Sequence, residues 1–351
     1  MARRPPAGGE QEERERQQEH QVETAHLARL QHARVRGPDV EEGGDGRVFR
    51  PLVLRLIEPA DLPDLRLLQS TDLSSLDGST SESDIVLGEP SLVAPALARL
   101  PHVRWVQSTW AGVEPLLAPS VRRDYVLTNA RGVFGALMVE YVFGYLIAHE
   151  RRMFDKYEAQ KAGRWDPTPP GTLRGKQIGL LGVGSIGAEL ARTAKHFGLR
   201  VKGYTRVSED CPDVDAYFHG EERPAFAADL DYLVGAMPNT ARTRRLVDAT
   251  LLAALPPRAV FVNPGRGSVV DEAALAAALV SGRLAGAVLD VFEEEPLPAD
   301  HIFWRTPNIV ITSHTAALSV PDDIAPVFIG NYRRFVAGDA LQYQVDFEAE
   351  Y

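Results

Sequence analysis

Short apolar runs alternate with amphipathic or turn-rich stretches from about residue 49 to the end of the chain. Each run has the length of a strand and is bounded by polar or breaker residues. Strands that read as almost continuously apolar belong to parallel sheets covered on both faces, so the pattern predicts an α/β fold. The predicted strands form a first series, RPLVLRLI, DIVLGE, RWVQST and YVLTNA, and a second series, KQIGLLGVG, RVKGYTR, DYLVGAMP, AVFVNPG, LAGAVLDV and NIVITSH.

Two helical segments divide the chain into predicted domains. The first runs from near Ala136 to Gly163 and ends before the breaker-rich RWDPTPPGTL. The second, DDIAPVFIGNYRRFVAG, follows the last strand and returns the chain to the first series. We therefore predict two doubly wound parallel-sheet domains joined by crossover helices. The expected boundaries are a substrate domain of residues 49–149 and 317–351, and a dinucleotide-binding domain of residues 150–316.

Residues 1–48 differ from the rest in composition. Gln, Glu and Arg dominate there and large apolar side chains are scarce, so we predict a disordered extension. It could be a regulatory tail or a dispensable segment, and its sequence does not decide between them.

Composition and charge narrow the class of protein. With 44% hydrophobic and 25% charged residues the chain is typical of globular proteins, and its net charge of -10 argues against a nucleic-acid partner. The single cysteine, Cys211, cannot form an internal disulfide, which fits the reducing cytoplasm. The most apolar run, Leu137 to Ala148, contains Glu140 and is too short to span a bilayer. We expect a cytoplasmic protein without a membrane partner.

The segment KQIGLLGVGSIGAELARTAKHFG predicts a dinucleotide site. Gly182, Gly184 and Gly187 have the GxGxxG spacing between an apolar strand and an amphipathic helix. The first glycine allows a tight turn, the second allows a pyrophosphate to approach the backbone, and the third allows helix and strand to pack closely. The N–H groups of Ser185 and Ile186 then open the helix, where an anion is favoured.

The end of the next strand bears on the choice of nucleotide. A site for NAD usually places Asp or Glu there, but this chain has Thr205 and Arg206. Threonine can donate to a 2′-phosphate and arginine can pair with it, so NADP(H) is the expected cofactor. If Arg206 is only a solvated surface residue, NAD(H) remains possible.

Four chemically active side chains follow three consecutive predicted strands: Arg266 in NPGRG, Asp290 and Glu295 in LDVFEEEPLP, and His314 in VITSH. Taken singly, each has a structural explanation, such as a turn anchor, a cap, a solvated acid or a buried histidine. Ligands of open α/β sheets bind at the carboxyl ends of the strands, so four such residues in register favour a catalytic site. We expect no metal ion in it.

These motifs resemble the D-isomer-specific 2-hydroxyacid dehydrogenases, from about Leu52 onward, and most of all the glyoxylate/hydroxypyruvate reductase branch through DVFEEEPLPADHIFW and PNIVITSHTAA. The resemblance implies a Rossmann-type dinucleotide-binding domain, a flavodoxin-like substrate domain and a homodimer. It also implies that Arg266 binds and polarises a 2-oxo acid, that Glu295 pairs with the proton donor His314, and that Asp290 contacts the nicotinamide carboxamide. Ser313 departs from the family's proline at that position.

The resemblance assigns the remaining contacts to loops. In VQSTWAGVE, the N–H groups of Ala111 and Gly112 would bind the substrate carboxylate, and Trp110 either shapes the pocket or packs. Trp304 is a second candidate of that kind, and Pro238 would flank the cofactor through its backbone. Asp271, by contrast, is expected only to cap a helix.

The expected function is reduction of a small 2-oxo acid, of the glyoxylate or hydroxypyruvate type, to the D-2-hydroxy acid. A D-3-phosphoglycerate dehydrogenase-like enzyme is one alternative within the family. A dinucleotide-sensing, corepressor-like scaffold is an alternative of another class, because such proteins resemble the family and keep its motifs.

Overall fold

The structure is a computed structural model that describes residues 56–57, 60, 62–68 and 81–351. The predicted extension, residues 1–48, lies outside the described residues. The predicted strand RPLVLRLI does too, except for Leu56 and Ile57, which are helical rather than extended.

Among the described residues, three parallel strands form the first sheet, in the order β1-β2-β3. They match the cores of DIVLGE, RWVQST and YVLTNA, and lie at Ile85–Gly88 (β1), Trp105–Ser108 (β2) and Val126–Thr128 (β3). Around them are the helix Pro90–Ala96 (α1) and the 3-10 turns Leu97–Arg99 and Glu114–Leu117.

The second sheet contains seven parallel strands in the order β10-β9-β8-β7-β4-β5-β6. Its strand order reverses between β4 and β7, the point at which doubly wound sheets open a crevice for dinucleotides. The strands are Gln177–Leu181 (β4), Arg200–Tyr204 (β5), Ala216–Phe218 (β6), Tyr232–Gly235 (β7), Val260–Asn263 (β8), Gly286–Leu289 (β9) and Ile309–Ile311 (β10). The sequence predicts six of these strands but not β6.

Helices cover both faces of this sheet because its strands are apolar on both sides. Ile178 and Leu180 of β4 enter the hydrophobic cluster on one face, and Leu181 enters the cluster on the other. Alternation of this kind follows from the two-residue period of a strand. The covering helices and 3-10 turns are Gly135–Glu150 (α2), Ser185–His196 (α4), Gly220–Glu222, Arg223–Ala227 (α5), Ala249–Ala254 (α6), Gly267–Val269, Glu272–Val280 (α7) and Ile302–Arg305.

The first crossover segment is two helices, not the single long one that the sequence predicts. Helix α2 ends at Glu150, and Met153–Lys161 (α3) begins after Arg152, whose φ of 54° places it in the left-handed region. No glycine or proline lies at that break, so helix propensity alone predicts one uninterrupted helix across it. Helix α2 packs Val142 and Leu146 into the core of the second sheet.

The helix Pro321–Ala337 (α8) brings the chain back to the first sheet, as predicted. Phe328 stacks on the buried Trp105 of β2 with ring centroids 5.2 Å apart. The amide of Asn331 donates to the side chain of Gln107, also in β2. In the described ranges, none of the helices combines the length and the hydrophobicity that a membrane span requires.

Candidate active site

A cleft of 310 Å³ lies at the carboxyl ends of strands from both sheets. The loop after β2 contributes Trp110, Gly112 and Glu114 to its lining, and the second sheet contributes Arg266, Glu295 and His314. The three predicted catalytic residues are therefore brought into one cavity with two of the predicted substrate-loop residues.

His314 and Glu295 form a hydrogen-bonded pair in this cleft, with His314 Nδ1 2.7 Å from Glu295 Oε2. The hydrogen bond to Glu295 raises the pKa of the His314 imidazole above its ordinary value, and this effect outweighs burial and the nearby Arg266 charge, which lower it. Burial alone would raise the pKa of Glu295, but hydrogen bonds from His314 and from the Phe292 N–H hold it below its ordinary value. The pair thus favours a protonated imidazole beside a carboxylate.

Asp290 positions the segment that carries His314. Its buried carboxylate accepts hydrogen bonds from the Thr312 hydroxyl and from the N–H groups of Thr315 (2.8 Å) and Ala316 (2.9 Å). Its carbonyl oxygen accepts from the His314 N–H at 2.8 Å, and His314 has a φ of 54°. These bonds fix a strained backbone that points the imidazole into the cleft. The predicted contact of Asp290 with a nicotinamide carboxamide remains a proposal.

Arg266 is held by two hydrogen bonds. Its Nε donates to Glu114 at 2.6 Å, and its Nη1 donates to the Gly265 carbonyl at 2.8 Å. A Cβ on Gly112 would lie 1.7 Å from Nη2, so glycine at this position leaves room for the guanidinium where it now lies. Glu114 was not assigned a role from sequence, although it ends the VQSTWAGVE motif.

The predicted substrate loop presents free backbone donors beside this arginine. Among the residues that the structure describes, no acceptor is bonded to the N–H of Ala111 or of Gly112. Trp110 lies at the mouth of the cleft, 42% exposed, with its ring centroid 6.1 Å from that of His314. Two unpaired N–H groups next to a guanidinium make a site for a carboxylate.

The glycine-rich turn has the shape that a pyrophosphate requires. Gly182 has a φ of 95°, and a Cβ on Gly187 would lie 2.3 Å from the Gly182 carbonyl oxygen, so both positions need glycine. A Cβ on Gly184 would meet nothing within 4 Å, which leaves open space above the start of α4. That helix has no side-chain cap and no acidic residue in its first turn, so its N–H groups around Ser185 and Ile186 are available to an anion.

Thr205 and Arg206 take different positions after β5. The Thr205 side chain is buried and its hydroxyl donates to the Ser208 carbonyl at 2.7 Å, so it stabilises the loop. Arg206 is exposed, and within the described ranges no carboxylate pairs with it. Of the two predicted 2′-phosphate ligands, Arg206 is the one whose guanidinium N–H donors are available to a phosphate.

The remaining predicted residues lie around or away from the cleft. Pro238 follows β7, and its carbonyl accepts from the Thr243 hydroxyl at 2.7 Å. Trp304 donates to the Pro298 carbonyl and is not among the lining residues of the cleft. Asp271 accepts from the Ala274 N–H, which confirms its prediction as a helix cap. The described residues contain no group of three or more His, Cys, Asp or Glu that could hold a metal ion.

Comparison with known proteins decides the family. The model of the NAD binding domain of D-isomer specific 2-hydroxyacid dehydrogenases matches residues 143–316. A glyoxylate/hydroxypyruvate reductase A of Salmonella paratyphi B is 36% identical over 244 residues, which are 67% of this chain and 78% of the relative. The chain belongs to the D-isomer specific 2-hydroxyacid dehydrogenase family.

Solved structures of this dehydrogenase family share the fold. A family member from Aeromonas salmonicida is 41% identical, has a TM-score of 0.80, and aligns over 84% of this chain and 95% of its own. A dehydrogenase from Xanthobacter autotrophicus, solved in complex with NADPH and MES, is 34% identical, with a TM-score of 0.78 over 89% and 98% of the two chains. The α/β fold predicted from the alternating pattern, and the Rossmann-type domain implied by the family resemblance, are confirmed.

Proposed function

We propose that this dehydrogenase reduces small 2-oxo acids of the glyoxylate or hydroxypyruvate type to D-2-hydroxy acids with NADPH. The observation that carries the proposal is the placement of Arg266 and the His314–Glu295 pair in one cleft. The name of the Salmonella relative supports the substrate class.

In the proposed reaction, a bound reduced nicotinamide supplies the hydride that the carbonyl carbon accepts. Arg266 and the N–H groups of Ala111 and Gly112 bind the substrate carboxylate, and Arg266 also polarises the oxo group. His314 donates its proton from Nε2 to the carbonyl oxygen as negative charge develops there. Glu295 accepts from Nδ1 and stabilises the imidazolium before transfer. In the opposite direction, His314 accepts the proton.

The residues of the second sheet fit a dinucleotide. The open space at Gly184 and the uncapped start of α4 suit the pyrophosphate. Asp290 would contact the nicotinamide carboxamide, and Pro238 would flank the cofactor through its backbone. Arg206 would pair with the 2′-phosphate, so NADPH is proposed as the preferred cofactor over NADH. The complex of the Xanthobacter structure with NADPH supports that choice.

A screen of purified protein tests the proposal. NADPH or NADH oxidation is followed with glyoxylate, hydroxypyruvate, pyruvate and bulkier 2-oxo acids. We expect turnover with glyoxylate and hydroxypyruvate. We also expect a higher kcat/KM with NADPH than with NADH. Protein that binds NADPH but reduces none of the panel would instead support the sensing scaffold, and a preference for NADH would contradict the cofactor assignment.

We also propose a homodimer and a cytoplasmic location. Exposed apolar side chains on and after α3, namely Met153, Phe154, Tyr157 and Trp165, suit a homodimer interface. A cytoplasmic location fits the single free Cys211.

A further inference from the structure

The segment Asp346–Tyr351 connects the first sheet to both walls of the cofactor crevice. It leaves the edge of the first sheet, where the Val345 N–H donates to the Leu127 carbonyl at 2.9 Å. It then folds into a tight turn, because the Asp346 carboxylate accepts from the N–H groups of Glu348 and Ala349. This turn directs the side chains of Glu350 and Tyr351 toward the second sheet.

Each of these two side chains contacts a different wall of the crevice. Glu350 Oε2 accepts from the Ala241 N–H at 3.1 Å, in the loop that follows β7. The Tyr351 ring lies under the Arg206 guanidinium, whose Cζ is 5.7 Å from the ring centroid, in the loop that follows β5. Strands β5 and β7 lie on either side of β4, so the turn spans the crevice where the adenosine end of a dinucleotide would bind.

The contact with the Tyr351 ring leaves Arg206 able to bind an anion. A guanidinium offers one face to an aromatic ring and keeps its N–H donors in the plane of its edge. An exposed arginine without a partner would sample many rotamers, and ordering it upon binding costs affinity. A ring on one face reduces that freedom and does not use any donor.

We propose that Tyr351 is a positioning residue for Arg206, and that it increases selectivity for a dinucleotide bearing a 2′-phosphate. The inference rests on the proposed role of Arg206 in NADPH binding. Glu350 anchors the turn on the opposite wall through Ala241.

Dissociation constants for NADPH, NADH and 2′,5′-ADP, measured by fluorescence or calorimetry without a substrate, test this role. Tyr351→Ala should weaken NADPH and 2′,5′-ADP roughly two- to five-fold, the factor expected for an exposed cation–π contact, and leave NADH unchanged. Tyr351→Phe keeps the ring and should match the unmodified protein. In an Arg206→Ala background, Tyr351→Ala should have no further effect.

The outcomes separate this inference from the cofactor assignment. Arg206→Ala weakening NADPH while Tyr351→Ala does not would overturn the positioning role alone. An equal loss for NADPH and NADH in Tyr351→Ala would also overturn it, since it would indicate a general structural effect. If Arg206→Ala leaves NADPH binding intact and the unmodified protein binds both nucleotides equally, both the inference and the NADPH assignment are wrong.

Discussion

His314 and Glu295 act as one titrating unit, because each changes the pKa of the other. The hydrogen bond between them raises the pKa of His314 and lowers that of Glu295. A proton donor with a raised pKa suits reduction, since the reaction consumes one proton for each carbonyl reduced.

The pH profile should therefore depend on Glu295. In the reductive direction, kcat/KM should fall as the pH rises through the pKa of His314, because the donor loses its proton. Glu295→Gln removes the carboxylate that raises this pKa, so the falling limb should move to lower pH, toward the ordinary histidine value of about 6.5. Glu293→Gln is the matched control, since Glu293 lines the same cleft but pairs with Arg244 and Arg245. If the falling limb of the Glu295→Gln profile stays at the same pH as in the unmodified protein, the proposed effect of Glu295 on the pKa of His314 is contradicted.

The sequence predicts a catalytic role for Arg266, Glu295 and His314 because each follows a strand end, but it does not predict their contacts with distant loops. Glu114 is separated from Arg266 by 152 positions, and nothing in either motif indicates that the two side chains meet. Thr205 and Arg206 were treated alike from sequence, whereas the fold buries one and exposes the other. Only tertiary packing distinguishes such neighbours.

At the level of elements, α2 is anchored at its C-terminal end by a buried charge. The Glu150 carboxylate accepts from Lys176 Nζ at 2.6 Å and from the Tyr232 hydroxyl at 2.5 Å. Lys176 precedes β4 and Tyr232 begins β7, so the contact fixes the crossover helix to the centre of the second sheet.

Removing one partner of this contact should destabilise the protein. Lys176→Met leaves a carboxylate that is only 5% exposed without its cation, which should lower the free energy of unfolding by roughly 1–3 kcal/mol. Lys161→Met is the control, because Lys161 pairs with Glu158 on the surface and such pairs contribute about 0.2–1 kcal/mol. Urea unfolding measures both, and equal effects would show that the Glu150 contact is unimportant.

Element boundaries show where local sequence signals are insufficient. The break at Arg152 lacks any breaker residue, and β6 is a three-residue edge strand whose short apolar run is bounded directly by the polar residues Asp215 and His219. The central strands of the second sheet, by contrast, have an apolar pattern strong enough to predict from sequence, because both of their faces are buried.

For the whole molecule, the pattern predicts two parallel sheets and the return of α8 to the first one, and both are observed. The domain boundaries at residues 149 and 316 remain predictions. The homodimer also remains a prediction, because the exposed apolar side chains of α3 indicate a contact surface but do not identify what binds there.

Sedimentation tests the proposed homodimer. We expect twice the mass of one chain, and we expect Phe154→Glu to shift the protein toward monomer because it places a charge in the apolar patch. Val336→Glu alters a similarly exposed apolar residue on α8 and should not change the mass. A monomeric unmodified protein at working concentration would contradict the proposal.

Substitution of His314 tests whether this residue supplies the proton for reduction of a 2-oxo acid held by Arg266. His314→Gln should lower kcat roughly 10²- to 10⁴-fold while the dissociation constant for NADPH is unchanged. His301→Gln is the matched control, because His301 also pairs with a glutamate, Glu272, but does not line the cleft. A His314→Gln protein that turns over at the rate of the unmodified enzyme would contradict the account.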